Sequence, residues 1–238
     1  MKWHIGCSGF YYKHWKKLFY PEDLPSSKWF EYYCSHFNTL ELNVTFYRFP
    51  QLSFLENWHQ KSPASFKFSV KAPRTITHYK QFHQTDDLIS DFYNILSKGL
   101  QEKLGCILFQ LPPRMDFSQE RLQRIIQSLD SSFHNVIEFR HQSWWKEEVY
   151  QELGKHQITF CGISHPQLPA DIIQNSPILY YRFHGAEQLY RSEYPKEAIK
   201  LVTDNIKASA RIKQAFIYFN NDIGGSAIIN AKQMQQMV

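Results

Sequence analysis

The chain has 238 residues, 43% of them hydrophobic and 21% charged, an ordinary globular composition that can bury a large core in one domain. Twenty-seven Lys and Arg against 22 Asp and Glu leave a net charge of +5, milder than the balance of a dedicated nucleic-acid binder and without a clustered basic stripe. There is no apolar run of about 18 residues to form a transmembrane helix, and Met1–Cys7 lacks the apolar stretch of a signal peptide, so the chain reads as cytoplasmic with no membrane partner.

Strand-length apolar runs alternate with amphipathic stretches of helix length. The predicted strands are Trp3–Cys7, Thr39–Leu42, Phe66–Lys71, Gly105–Leu111, Val136–Arg140, Thr159–Ile163, Ile178–Phe183 and Ala215–Phe219. Helices are predicted near 26–36, 52–61, 86–98, 118–130, 146–156, 166–174, 195–210 and 226–237. Ser118 is read as a cap before the run Leu122, Ile125, Ile126 and Leu129. Eight βα units of about 30 residues each predict a single (β/α)8 TIM-barrel-like domain over residues 1–238. The rival, a doubly wound dinucleotide-binding sheet, lacks a G-x-G-x-x-G at its first turn. Two predicted βα loops, Ser8–Ser27 and Ala72–Thr85, are long and rich in aromatic and basic residues. They read as walls or lids over the barrel mouth.

In an α/β barrel the active site is built from the C-terminal ends of the strands and the loops that follow. Here those ends carry polar groups: Glu41 and Asn43, Lys71, Gln110, Glu138 and Arg140, Arg182 and His184, and Asn220. Side chains alternate along a strand, so Glu138 and Arg140 share a face with Val136, Arg182 and His184 with Tyr180, and Glu41 with Asn43. Isolated charges inside a closed barrel are costly, so this layer must be paired, solvated or in contact with a ligand. Two carboxylates stand against three permanent cations, a surplus that favours an anionic ligand such as a phosphate or carboxylate.

Three other readings fit the same residues. A Glu–Arg network could simply rigidify the barrel top. Glu41, Glu138 and His184 could ligate a divalent metal, although three nearby cations oppose one and no H-x-H or H-E-x-x-H motif is present. Glu41 and Glu138, with Tyr47, Trp144 and Trp145 as stacking surfaces, could serve glycoside hydrolysis, which needs two flanking carboxylates. His165, before Pro166, reads as a loop residue. Cys7, Cys34, Cys106 and Cys161 lack C-x-x-C or zinc-finger spacing and read as buried, reduced thiols.

Several ordered motifs carry a family resemblance: Ile5-Gly6-Cys7-Ser8-Gly9-Phe10, Phe19-Tyr20-Pro21, His36 to Tyr47, Phe66 to Arg74, Phe109-Gln110-Leu111-Pro112-Pro113, Glu138-Phe139-Arg140-His141, Tyr181-Arg182-Phe183-His184-Gly185 and Tyr218-Phe219-Asn220-Asn221-Asp222. Together they resemble the YecE-like family, the domain of unknown function 72, nearly end to end. The resemblance implies a TIM-barrel-like fold related in shape to xylose isomerases and endonuclease IV, and no established activity. Cys7, Phe10 and Ser164 depart from the residues common there, Thr, Trp and Asp. The last departure bears most on the metal reading.

The sequence therefore predicts a barrel that binds a small anionic or phosphate-bearing ligand at the strand C-terminal face, with no cofactor. Lys71, Arg140 and Arg182 are expected to hold the anion. Glu138 and His184 are the acid/base pair if there is chemistry, with Glu138 expected to raise the His184 pKa. Glu41, Asn43, Gln110 and Asn220 would orient the ligand, and Tyr12, Trp15, Tyr47 and Trp144 would form walls. The alternatives are a metal-dependent phosphoesterase or nuclease acting on nucleic acid, and a non-catalytic binding protein.

Overall fold

The computed structural model describes residues 1–238. Its strands are β1 (Lys2–Cys7), β2 (Thr39–Leu42), β3 (Lys67–Lys71), β4 (Leu104–Gln110), β5 (His134–Glu138), β6 (Thr159–Ser164), β7 (Ile178–Phe183) and β8 (Gln214–Phe219). All pair in parallel in the order β1-β8-β7-β6-β5-β4-β3-β2. The helices are α1 (Trp29–Cys34), α2 (Val44–Tyr47), α3 (Leu52–Lys61), α4 (Asp86–Leu100), α5 (Gln119–Ser128), α6 (Glu147–Lys155), α7 (Lys196–Lys207) and α8 (Ser226–Gln235). The expected TIM-barrel-like α/β architecture is present. Ser118 caps α5, its side chain accepting from the Arg121 N–H at 3.2 Å.

Alternation along the strands separates two cores. Side chains such as Leu108, Val136, Ile163, Tyr180, Phe216 and Tyr218 fill the barrel interior. The opposite faces join the helices in a larger layer of 53 buried hydrophobic residues, which dominates the burial. Half-way up the interior, the Tyr218 hydroxyl meets Thr39 Oγ1 at 2.6 Å and Ser69 Oγ at 2.8 Å, so the polar groups of three strands satisfy one another. All four cysteines are free and buried.

The sheet does not close with a full ladder. Between β1 and β2 the backbone forms one bridge, Ser8 to Glu41, with the Gly9 N–H donating to the Glu41 carbonyl at 3.0 Å. Below it, side chains take over the edge groups. The Asn38 amide accepts from the Ile5 N–H at 3.2 Å and donates to the Trp3 carbonyl at 2.8 Å. The Tyr33 hydroxyl accepts from the Cys7 N–H at 2.8 Å and donates to the Thr39 carbonyl at 3.0 Å. This joint explains Gly6: a Cβ there would lie 2.3 Å from the Thr39 carbonyl oxygen and 2.7 Å from the Tyr33 hydroxyl.

One predicted helix is absent. Residues 166–174 are irregular, and no helix joins β6 to β7. Pro166 and Pro169 lack an N–H and disfavour helical geometry in the residue before each. The segment is instead fastened to the sheet: Ala170 accepts from the Tyr181 hydroxyl at 3.1 Å, and the Asn175 amide pairs with the Phe160 N–H and the Ile158 carbonyl. The short α2 was not expected. It begins at Asn43, whose φ of −100° and ψ of −14° already leave the strand.

Tyr33→Phe should cost about 1–3 kcal/mol, because it leaves the buried Cys7 N–H without its acceptor and the Thr39 carbonyl without its donor. Urea unfolding of the variant measures this. A loss within error of zero would mean that the joint does not hold the barrel closed.

Candidate functional site

The inward-facing residues at the ends of β2, β5 and β7 form one buried cluster. The guanidinium of Arg182 lies between two carboxylates, with Nη2 2.6 Å from Glu41 Oε1 and Nη1 2.6 Å from Glu138 Oε2. Glu41 also accepts from the Ser8 hydroxyl and from the Tyr180 hydroxyl, each at 2.6 Å. Arg140 pairs with the other oxygen of Glu138 through Nε. His184 completes the group, its Nε2 3.1 Å from Arg140 Nη2 and its Nδ1 3.1 Å from the Asn220 amide. Glu41, Glu138 and His184 are fully buried, and Arg182 is 1% exposed.

Each charge in the cluster is set by its neighbours. Burial alone would raise the Glu138 carboxyl, but Arg140, Arg182 and His184 outweigh it and hold it well below the usual carboxylate range. Burial works against the Arg182 cation, yet Glu138 and Glu41 keep it protonated. His184 is pushed well below its ordinary value by burial, then by Arg140 and Arg182, with Glu138 opposing only in part. The expected upward shift is therefore reversed: two arginines outweigh one carboxylate. Guanidinium N–H groups face His184 Nε2, and the Asn220 amide nitrogen faces Nδ1, so the neutral ring is bounded by donors on both sides.

Lys71 stands apart from these pairs. Its ammonium donates to Gln110 Oε1 at 2.5 Å and lies 4.1 Å from the centre of the Phe46 ring, with no carboxylate in salt-bridge contact. Burial, with repulsion from Arg182 and Arg140 opposed by Glu138 and Glu41, lowers its pKa to about 7. The same cationic field reaches His78, which burial, Lys71, Arg140 and Arg74 lower to about 4.

Over the ends of β4, β5 and β6 opens a cavity of about 540 Å³ whose lining includes Gln110, Arg140, His141, Gln142, His165 and Tyr190. No Asp or Glu lines it. Arg140 stands between this cavity and the fully buried Glu138 and His184, neither of which lines it.

The sequence-predicted residues divide accordingly. Glu41, Glu138, Arg140, Arg182, His184 and Asn220 meet in one cluster, and Lys71 and Gln110 pair beside it. Asn43 does not join them, because β2 ends at Leu42 and the turn into α2 breaks the alternation that would have pointed it inward. Trp144 is not a wall: it is fully buried, stacked on Phe139 with ring centres 4.1 Å apart, and its indole donates to the Met115 carbonyl. Trp15 is likewise buried, its indole donating to Asp222 at 2.6 Å and so tying the loop after β1 to the one after β8. Tyr47 is 69% exposed and faces the Arg74 guanidinium at 5.7 Å.

Sequence reasoning missed Ser8, Tyr180 and His165. Tyr180 was legible as the inward residue two before Arg182. His165 was set aside as a loop residue, yet it lines the cavity with its ring centre 6.3 Å from that of His184. Nor do Glu41, Glu138 and His184 form a metal-ligand set. The Arg182 guanidinium already holds the place between the carboxylates that a cation would take, and no three His, Cys, Asp or Glu side chains converge elsewhere.

A family model described as "Protein of unknown function DUF72" matches residues 4–238. The chain belongs to the DUF72 family. Among its relatives, the UPF0759 protein YunF of Bacillus subtilis is 25% identical over 92% of this chain and 89% of that one. The UPF0759 protein YecE of Escherichia coli is 30% identical over 53% of this chain and 48% of its own length. The crystal structure of a DUF72 family protein from Thermotoga maritima superposes with a TM-score of 0.90 at 30% identity, covering 100% of this chain and 99% of that one. One from Enterococcus faecalis, at 22% identity, shares the fold with a TM-score of 0.82, over 99% of this chain and 94% of that one. The barrel is thus the DUF72 fold, and none of these relatives' names carries an activity. No helix of this DUF72 chain is long and apolar enough to cross a membrane.

Two outcomes follow from the charge arrangement. Arg182→Met, which strands two buried carboxylates, should cost about 3–5 kcal/mol in chemical denaturation; a loss below about 1 kcal/mol would mean that the carboxylates are held without it. For Lys71, the folded pKa of about 7 lies below the ordinary 10.5. Between those values the unfolded chain binds a proton that the folded one does not, so stability rises with pH there. Lys71→Met should therefore raise the melting temperature most at pH 6 and little at pH 10. An equal effect at both would contradict a buried, destabilised ammonium.

Proposed function

We propose that this DUF72 barrel binds a small anionic ligand, with a phosphate or carboxylate group, in the cavity over β4, β5 and β6. The observation that carries the reading is a lining that includes the Arg140 cation and no carboxylate, with Lys71 one hydrogen bond behind it at Gln110. Arg182 pairs with both Glu41 and Glu138, and Glu138 in turn fixes Arg140. An anion entering this space meets guanidinium, imidazole and amide groups in a partly desolvated setting, where charge-assisted hydrogen bonds are strongest. A bound anion would also restore the charge that crowding removes from Lys71.

The buried positions of Glu138 and His184 favour binding over acid/base turnover. Both lie behind Arg140, so a ligand in the cavity reaches neither directly. The cavity volume is within the range of small-molecule sites, roughly 300–1,000 Å³.

The test is a thermal-shift and calorimetric survey of sulfate, phosphate, pyrophosphate, sugar phosphates and short carboxylates. One or more should stabilise the wild type, and Lys71→Met and Arg140→Met should weaken binding at least about tenfold. For sulfate, whose charge is constant across the range, affinity should fall by up to about tenfold per pH unit above pH 7 as Lys71 discharges. The slope should vanish in Lys71→Met. If no anion shifts the melting temperature, the cluster is a structural brace and the reading fails.

A further inference from the structure

We infer that a second cavity, between the loop after β1, the turn after β2 and the start of α3, binds a small amphiphile with an apolar body and an anionic head. A medium-chain or aryl carboxylate fits that description. The cavity has a volume of about 520 Å³ and shares no lining residue with the one over β4, β5 and β6. Its apolar walls come from Phe10, Tyr11, Leu42, Phe49, Phe54 and Trp58.

Two features select the ligand. First, Tyr11, Phe54 and Val44 are 57%, 56% and 55% exposed, so large apolar groups gather around one opening rather than scatter over the surface. Second, the charges at this cavity are one-sided. Arg48 lines it without an ion-pair partner in the chain, while both oxygens of the other charged residue, Glu41, are engaged by Ser8, Arg182 and Tyr180. An apolar space beside an unpaired guanidinium suits a chain or ring of six to ten carbons, by rough volume, ending in a carboxylate.

The inference is independent of the anion site at the mouth. Its test uses octanoate and 1-octanol, which differ only in the head group, followed by calorimetry and by the fluorescence of Trp58 against a Trp58→Phe control. Octanoate should bind the wild type and weaken at least about tenfold in Arg48→Ala, while 1-octanol binds both proteins alike. Phe54→Glu should weaken octanoate by a similar factor, and Lys71→Met should leave it unchanged. Arg48 and Phe54 are both exposed, so these variants keep the fold. The inference is overturned if octanoate does not bind, if its binding ignores Arg48→Ala and Phe54→Glu, or if Lys71→Met abolishes it, which would place the probe at the barrel mouth.

Discussion

The upper end of this barrel is organised around one guanidinium. Arg182 extends from β7 into the interior and holds a carboxylate from β2 on one nitrogen and a carboxylate from β5 on another, both at 2.6 Å. No water-facing route lets either acid escape the arrangement, since both are fully buried. Such an ion triad is weak evidence for stability in itself, because desolvation consumes much of what the attraction returns. What it does provide is geometry: three strands that are not neighbours in the sheet are tied at one point, and Arg140 and His184 are positioned against that point.

From this tie follows the unequal treatment of the remaining cations. Two carboxylates absorb two guanidinium groups, and little negative charge is left for Lys71. The lysine is partly discharged where it sits, and the imidazole of His184 stays neutral for the same reason. The mouth of the barrel is therefore a place where positive charge is available but costly, and where an incoming anion changes the protonation of a side chain it need only approach. A count of acids and bases along the sequence finds the surplus cation; it does not find which cation is surplus.

The strands and their inward faces were readable because a parallel barrel strand writes its two faces into alternate positions. Val136 and Glu138, Tyr180 and Arg182, and Thr39 and Glu41 obey that period, and the cluster follows from it. Asn43 and Trp144 escaped because each lies past the last paired residue, where the turn rather than the pleat sets side-chain direction. The segment 166–174 has apolar residues at spacings a helix would use, but two prolines and the hydrogen-bonding needs of neighbouring strands decide otherwise. His165 shows the limit from the other side: a loop residue gains its surroundings from chain brought near by folding, and no local pattern announces that.

The β1–β2 joint has a consequence for how disturbance travels through the molecule. Elsewhere around the barrel a shift in one strand must drag its neighbour along, because a ladder of backbone hydrogen bonds fixes their register. At this line the linkage is made of two side chains, Asn38 and the fully buried Tyr33, so below Ser8 the register rests on their hydrogen bonds rather than on a ladder. Ser8 is where the backbone takes over. Its backbone forms the single bridge to β2, while its hydroxyl is bonded to Glu41 within the ion triad. A displacement of β1 against β2 would therefore meet side-chain hydrogen bonds below Ser8 and the buried charges at Ser8 itself.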